Sequence, residues 1–244
     1  MKNTNKHYII IILLVMLIVS ILTFYIYKYN NTLKSKIINS NTIEVNYEIN
    51  KIDYEEELNK VRNKYNNNDI VGILSNSDDT LNEIVMQSTD NDYYLEHTVY
   101  HESNWRGQTF LDYRNDINNS DKLIIYGHNS NYYNLPFKVL ENYYNKSYYD
   151  ENKYLYLQTN LNKYKYEIFS VYVEVSDWDY YNKMKFNTKD EYYNHILKLK
   201  NKSMYDTNVL VNKDDKILII QTCSTKKEYS NYENKFLLII AKRV

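Results

Sequence analysis

The sequence predicts a mainly β domain, a barrel or sandwich, behind an N-terminal helical lead-in. Three observations carry this prediction. Short apolar runs of β type recur from Asp69 to the C-terminus, each bounded by polar turns. Inside that region one stretch has helical spacing. A long uncharged stretch lies at the start of the chain, well clear of the β runs.

The N-terminal stretch runs from Tyr8 to Tyr27 and reads YIIIILLVMLIVSILTFYIY. About 20 apolar residues suffice for a helix to cross the hydrocarbon core, and tyrosines at both ends suit the two interfaces. A cleaved signal peptide would have a shorter apolar region followed by small residues. Here the only alanine in the chain is Ala241, and Lys28-Tyr29-Asn30-Asn31 is a poor cleavage site. Residues 1–7 are therefore expected to be a cytoplasmic tail and residues 8–27 a transmembrane anchor. Lysines flank both ends (Lys2 and Lys6 before, Lys28, Lys34 and Lys36 after), so charge alone does not orient the span.

Residues 28–68 are polar and helix-prone and are expected to form a helical spacer. Within them Asp53, Glu55, Glu56 and Glu57 precede Lys60 and Arg62, the order that suits a helix dipole. Leu58, Val61 and Tyr65 would form the apolar stripe that packs on the main domain.

From Asp69 onward, β runs are expected at 70–74, 83–87, 122–126, 154–157, 164–173, 216–222 and 236–240. Between the last two strands before the C-terminal run, Thr188 and Glu191 form a capping box. Tyr192, Ile196 and Leu199 recur there at helical spacing, and His195 on the same helix is expected to be exposed. Neither an internal repeat nor a second domain is visible, so residues 69–244 read as one catalytic domain.

Composition narrows the function. With 30 basic and 31 acidic residues and a net charge of -1, the chain carries no electrostatic footprint for nucleic acid. The scarcity of glycine (3) and proline (1) beside 30 tyrosines points to an AT-rich coding bias, and the asparagine tracts at 66–68 and 118–119 are loops. A single cysteine makes no internal disulfide, so the fold must rest on its core. His97 and His101 are four apart, but no cysteine or carboxylate pattern completes a metal site, and neither metal nor cofactor is expected. Phosphate loops, HExxH and GxSxG patterns do not occur.

Two residues could do covalent chemistry. Cys223 follows the strongest β run, in Ile219-Ile220-Gln221-Thr222-Cys223-Ser224, where a strand end would present it at a rim. Such a cysteine is either a small buried apolar residue or a nucleophile, and a nucleophile needs a base or cation nearby. His128 is the best partner, since it also follows a β run, in Ile124-Ile125-Tyr126-Gly127-His128-Asn129. Gly127, in a chain so poor in glycine, marks an unusual backbone angle or a close approach.

Three blocks resemble class B sortases. The first joins Ile70-Val71-Gly72, Gln87 and Asp90-Asn91-Asp92-Tyr93-Tyr94-Leu95 to Gly107-Gln108-Thr109-Phe110-Leu111-Asp112-Tyr113-Arg114-Asn115. The second is Tyr126-Gly127-His128-Asn129 with Pro136-Phe137 and Leu140. The third is Lys216-Ile217-Leu218-Ile219-Ile220-Gln221-Thr222-Cys223-Ser224. Their order runs through residues 69–244.

The resemblance implies a closed sortase β-barrel with one helix, residues 188–202, in the long connection between strands six and seven. It implies a single-pass cell-membrane protein of a Gram-positive envelope whose catalytic domain is extracytoplasmic. Its partners would be secreted proteins bearing a C-terminal sorting signal and an amine of peptidoglycan or its lipid-linked precursor. Cys223 would be the nucleophile, carrying the acyl group as a thioester, and His128 the acid and base. Asn91, Leu95 and Tyr205 would line the substrate groove.

One position departs from the family. An arginine is expected at the start of the strand after the cysteine hairpin, and Lys235 occupies its apparent place. Lysine supplies charge without the planar fork of arginine. Either Lys235 substitutes for it, or Arg243, Lys226 or Lys227 does, or activity is low. The alternatives to a transpeptidase are thus a hydrolytic or catalytically impaired sortase-like module, or a membrane-tethered binding module. An L,D-transpeptidase fits less well, because the Gly-Cys-Arg-like context of its cysteine is absent.

Overall fold

The computed structural model describes residues 16, 18–34 and 52–244. The chain forms two compact units, residues 1–52 and Asp53–Val244. In the first, helix α1 covers residues 18–34 and leaves Ile18, Ile21, Leu22, Phe24 and Ile26 exposed. Among the described residues, no helix is long and apolar enough to cross a membrane. The expected tail 1–7, positions 8–15 and 17 of the expected anchor, and 35–51 of the expected spacer lie outside the described residues.

The second unit opens with α2, Tyr54–Tyr65. The Asp53 carboxylate accepts from the Glu56 N–H and caps its start, and Asn66 ends it in the left-handed conformation at φ 49°. Leu58 is fully buried, and Arg62 Nε donates to the Ile70 carbonyl at 2.8 Å, tying the helix to the first strand. Eight strands follow: β1 Ile70–Asn76, β2 Asn82–Met86, β3 Phe110–Leu111, β4 Lys122–Tyr126, β5 Tyr154–Gln158, β6 Lys163–Glu174, β7 Ile217–Cys223 and β8 Phe236–Arg243. They close into a barrel in the order β1-β2-β3-β4-β7-β8-β6-β5.

Each expected β run became a strand. The one not anticipated is β3, whose two residues are too few to show a period, yet it closes the barrel between β2 and β4. The β4–β5 connection holds a 3₁₀ stretch, Pro136–Tyr144, and α3, Lys146–Glu151. The β6–β7 connection holds α4, Asp179–Asn182, and α5, Lys189–Asn201. In α5 Thr188 Oγ1 accepts from the Glu191 N–H at 3.1 Å, as the capping box requires.

The pleat sorts the strand residues into two cores. Leu74, Val85, Leu111, Ile125, Leu155, Ile168, Ile220 and Ile239 come one from each strand and meet in the barrel interior, with Phe137 and Leu140. Ile124, Ile219, Leu238 and Ile240 face outward and are covered by Leu58 of α2 and by Tyr192, Ile196 and Leu199 of α5. β4 and β7 are buried on both faces, so their sequences read as continuous apolar runs.

The helical cover corrects one expectation. His195 is only 5% exposed. It stands one turn from Tyr192 on the buried side of α5, its ring 5.0 Å from that of Phe186. Burial, aided by the charge of Lys122, pushes its pKa down to about 3.

Candidate active site

β4 and β7 run parallel, and every pair from Lys122 facing Ile217 to Tyr126 facing Gln221 has the same offset. Thr222 Oγ1 donates to the Gly127 carbonyl at 2.7 Å, carrying that register one residue on. The next step brings His128 level with Cys223. Asn129 then ties the two segments together, its Nδ2 donating to the Cys223 carbonyl at 3.0 Å. By pleat alternation Gln221 and Cys223 share the outward face of β7. A cleft of about 330 Å³ opens there, with both of them, Tyr126 and His128 in its wall.

Two glycines shape this wall. A Cβ on Gly127 would lie 2.6 Å from the Phe137 ring, so the scarce glycine answers a close approach, and Gly127 has no positive φ. Gly107 does, at +57°, and a Cβ there would meet the Tyr94 and Leu95 carbonyls at 2.5 Å. The Leu95 carbonyl lies 2.9 Å from His128 Nε2. A carbonyl only accepts, so the hydrogen sits on Nε2 and Nδ1 is the nitrogen left to exchange protons.

Below the cleft lies a buried carboxylate that sequence reasoning passed over. Asp112 accepts from Arg114 Nε at 2.8 Å, Arg114 Nη2 and the Tyr126 hydroxyl each at 2.6 Å, and Asn91 Nδ2 at 3.0 Å. Burial pushes its pKa up, but these donors outweigh burial and hold it below the usual carboxylate range. Arg114 also lies over the Tyr181 ring at 4.4 Å. Tyr126, Asn91 and Tyr181, all in the cleft wall, are thereby fixed by one anchor.

The expected site residues separate into two groups. Cys223, His128, Asn91 and Leu95 line one cleft. Asn91 is held at both ends of its amide, since its Oδ1 also accepts from the Tyr113 N–H at 3.0 Å. Tyr205 is elsewhere: its hydroxyl donates to the Tyr143 carbonyl at 2.8 Å and its ring packs on Tyr149 at 5.3 Å. It borders a different cavity, with Phe169 and Thr207, and not the cleft that holds Cys223 and His128.

Lys235 also stands apart. The residue facing Cys223 across the β7–β8 ladder is Phe236. Lys235, one residue earlier, is on the opposite side of the pleat, and its Nζ donates to the Tyr232 carbonyl at 2.9 Å. It borders a neighbouring cavity of about 590 Å³ with Ser224, Lys226 and Lys227. Lys226 pairs with Glu228 at 3.2 Å. Arg243 lies at the far end of β8, over the Tyr164 ring at 4.6 Å. Among the described residues, no lysine or arginine lines the cleft. Cys223 is exposed, yet surrounding protein pushes its thiol pKa up, and the charge of Lys235 offsets part of that rise.

His97 and His101 bracket Tyr93. The first stacks on its ring at 4.1 Å, and the second lies 3.1 Å from its hydroxyl.

Tyr126, Gln221 and Phe236 were missed as cleft residues. Two-residue spacing from His128 and Cys223 is the signal that places Tyr126 and Gln221 on the same faces. Phe236 depends on the hairpin register and has no such local signal.

The family model of the sortase domain matches residues 84–244. Sortase B of Listeria monocytogenes is 36% identical over 164 residues, 67% of this chain and 66% of that protein. Sortase B of Staphylococcus aureus is 32% identical over 177 residues, 72% of this chain and 70% of that protein. The solved structure of Clostridium perfringens sortase B aligns with a TM-score of 0.68 at 28% identity, covering 76% of this chain and 99% of that one. With its closed barrel and its match to these relatives, the chain belongs to the sortase family of cysteine transpeptidases, in class B.

Proposed function

We propose that the protein is a membrane-anchored transpeptidase that cleaves a C-terminal sorting signal of secreted proteins and transfers them to a cell-wall amine. The observation that supports this reading is that His128 and Cys223, at the ends of the paired strands β4 and β7, line one cleft. The Cys223 thiolate attacks a substrate carbonyl, commonly that of threonine in this family. The tetrahedral intermediate collapses to a thioester as the leaving amine takes a proton from His128. The incoming amine then attacks the thioester and gives a proton to His128, and the C–S bond breaks to release the Cys223 thiolate.

Residues 8–27 would anchor the protein, 1–7 would stay on the cytoplasmic side, 28–68 would be the spacer and 69–244 the extracytoplasmic catalytic domain. The uncharged stretch and the uncovered apolar side chains of α1 support this placement. The acyl acceptor would be an amine of peptidoglycan or its lipid-linked precursor. Leu95 and Asn91 would form part of the substrate groove.

A second reading, a catalytically impaired or hydrolytic module, is favoured by one observation: Phe236, not a cation, faces Cys223. Incubating the full-length chain in detergent with threonine-containing sorting-signal peptides, then mass spectrometry, tests the first. A thioester on Cys223 that an added amine resolves into a transfer product is the expected result. An adduct that persists in Cys223→Ala would exclude the assigned nucleophile, and release only to water would favour the second reading.

A further inference from the structure

When a thiolate adds to a carbonyl carbon, the S–C bond forms and the C=O π pair moves onto oxygen. That oxygen needs a donor within hydrogen-bond reach. The cleft offers few. Its wall carries neither lysine nor arginine among the described residues. Phe236 faces Cys223, edge-on to Trp178 at 5.6 Å. The backbone N–H after the nucleophile, that of Ser224, already donates to the Lys235 carbonyl at 2.9 Å. His128 Nε2 is bound to Leu95, the Asn91 amide to Asp112, and the Tyr126 hydroxyl to Asp112.

We infer that the side-chain amide of Gln221 is the oxyanion donor of this site. Gln221 stands two residues before Cys223 on the same face of β7, and both border the cleft. Strand rise separates their Cα atoms by about 6.6 Å, a span that a glutamine side chain and one hydrogen bond cover together. Its orientation is set from behind. The Tyr180 hydroxyl donates to Gln221 Oε1 at 2.8 Å, so the oxygen end of the amide is occupied. Among the described residues nothing accepts from Nε2, which leaves the donor end for an incoming ligand. Tyr180 is buried at the start of α4, so the amide has a rigid backing. Burial raises its phenol pKa, and the charge of Cys223 adds a little to the rise.

When the intermediate collapses, the oxygen pair returns to re-form the C=O bond and the C–N bond breaks. The amine leaves with the proton of His128, and Gln221 keeps both of its hydrogens. The inference rests on the transpeptidase reading only for the natural acyl donor, because any acylation of Cys223 passes through the same oxyanion.

Two small reagents isolate this step on the full-length chain. 4-Nitrophenyl acetate acylates the thiolate through an oxyanion, whereas iodoacetamide alkylates it without one. Reactivity of Cys223→Ala is subtracted as background. Gln221→Met, of similar volume, is expected to lower acylation about 100-fold while alkylation stays within about twofold. Gln221→Glu keeps the acceptor for Tyr180 but has no N–H, and it should lower the acylation-to-alkylation ratio as well, which covers a Gln221→Met variant that fails to fold. An unchanged ratio in Gln221→Glu, or the same selective loss in Tyr181→Phe with none at Gln221, would overturn the assignment. A normal ratio effect in a protein that forms no thioester with sorting peptides would sink the transpeptidase reading and leave this one standing.

Discussion

The same two parallel strands, β4 and β7, end in cavities of opposite character. At their C-terminal end lies the cleft of about 330 Å³ with His128 and Cys223, free of lysine and arginine among the described residues. At their N-terminal end, where Lys122 faces Ile217, lies a cavity of about 870 Å³ bordered by Arg114, Lys122, Lys185, Lys189 and Lys213. The larger and more charged cavity holds neither the thiol nor the imidazole. Lys122 is spent on structure: its Nζ donates to the Tyr180 carbonyl at 2.7 Å and to that of Lys183. Burial pushes its pKa down to about 7 and that of His195, on the buried side of α5, to about 3. Buried groups such as these, with Lys122 bonded to backbone carbonyls, hold the connection over the barrel. At the other end an accessible sulfur and a free ring nitrogen remain available, and availability, not cavity size, distinguishes the ends.

The sharpest way to break the comparison is to exchange the roles of the two ends. Cys223→Ala should abolish the peptide thioester. His128→Gln should lower turnover about 10²- to 10⁴-fold while iodoacetamide still labels the thiol. Lys122→Met, at the other end, should leave the thioester yield unchanged in the same assay, whatever it does to stability. A loss there comparable to that of His128→Gln would mean that the ends are not functionally distinct.

Asp112 connects the two cavities, since Arg114 borders one and Tyr126 and Asn91 the other. Asp112→Asn is expected to destabilise the fold by about 2–3 kcal/mol, because it leaves the guanidinium without its carboxylate; the partial exposure of Arg114 keeps the figure below that of a fully buried pair. Urea unfolding measures this, and a loss of less than about 0.5 kcal/mol would show that water replaces the carboxylate.

His195 sharpens the comparison through pH. Its pKa lies near 3 in the fold against about 6.5 when unfolded, so between those values the unfolded chain binds more protons. Its contribution is therefore present above pH 6.5 and is lost as pH falls toward 3. His195→Leu should flatten the drop in melting temperature between pH 7 and pH 4.5. An equal drop in both proteins would show that the ring is not held neutral.

The smallest effect is expected at Lys235. Its charge offsets only part of the rise of the Cys223 thiol. Lys235→Ala should shift the pH profile of alkylation slightly upward and change peptide turnover by less than about threefold. A loss as large as that of His128→Gln would return Lys235 to the catalytic role that its place in the sequence suggested.

How much of this was legible in advance follows the range of the forces involved. The strands at 122–126 and 216–222 are continuous apolar runs that only burial on both faces explains, and both appeared as expected. Cys223 and His128 could be named because each directly follows such a run. Which residue of Asn234-Lys235-Phe236 faces Cys223 was not legible: one residue of offset reverses the face of the pleat, and nothing local reports that offset. Tyr205 follows α5 in a connection whose path the helix, not the strand ladder, sets, so spacing was uninformative. His195 lay within reach, since the period that buried Tyr192 and Ile196 places it on the same side.

The amino-acid sequence by itself determined the elements: the apolar runs that become strands, the Thr188 cap that starts α5, and one thiol and one imidazole each at the end of such a run. Those follow from local propensity and periodicity, which act over a few residues. The tertiary structure alone decided which strands are neighbours, in what register, and therefore that Phe236 and not Lys235 faces the sulfur, and that the amide of Gln221 is turned by Tyr180 with its donor end free. Register and facing are properties of hydrogen-bonded pairs far apart in the chain, and only closure of the barrel selects among them.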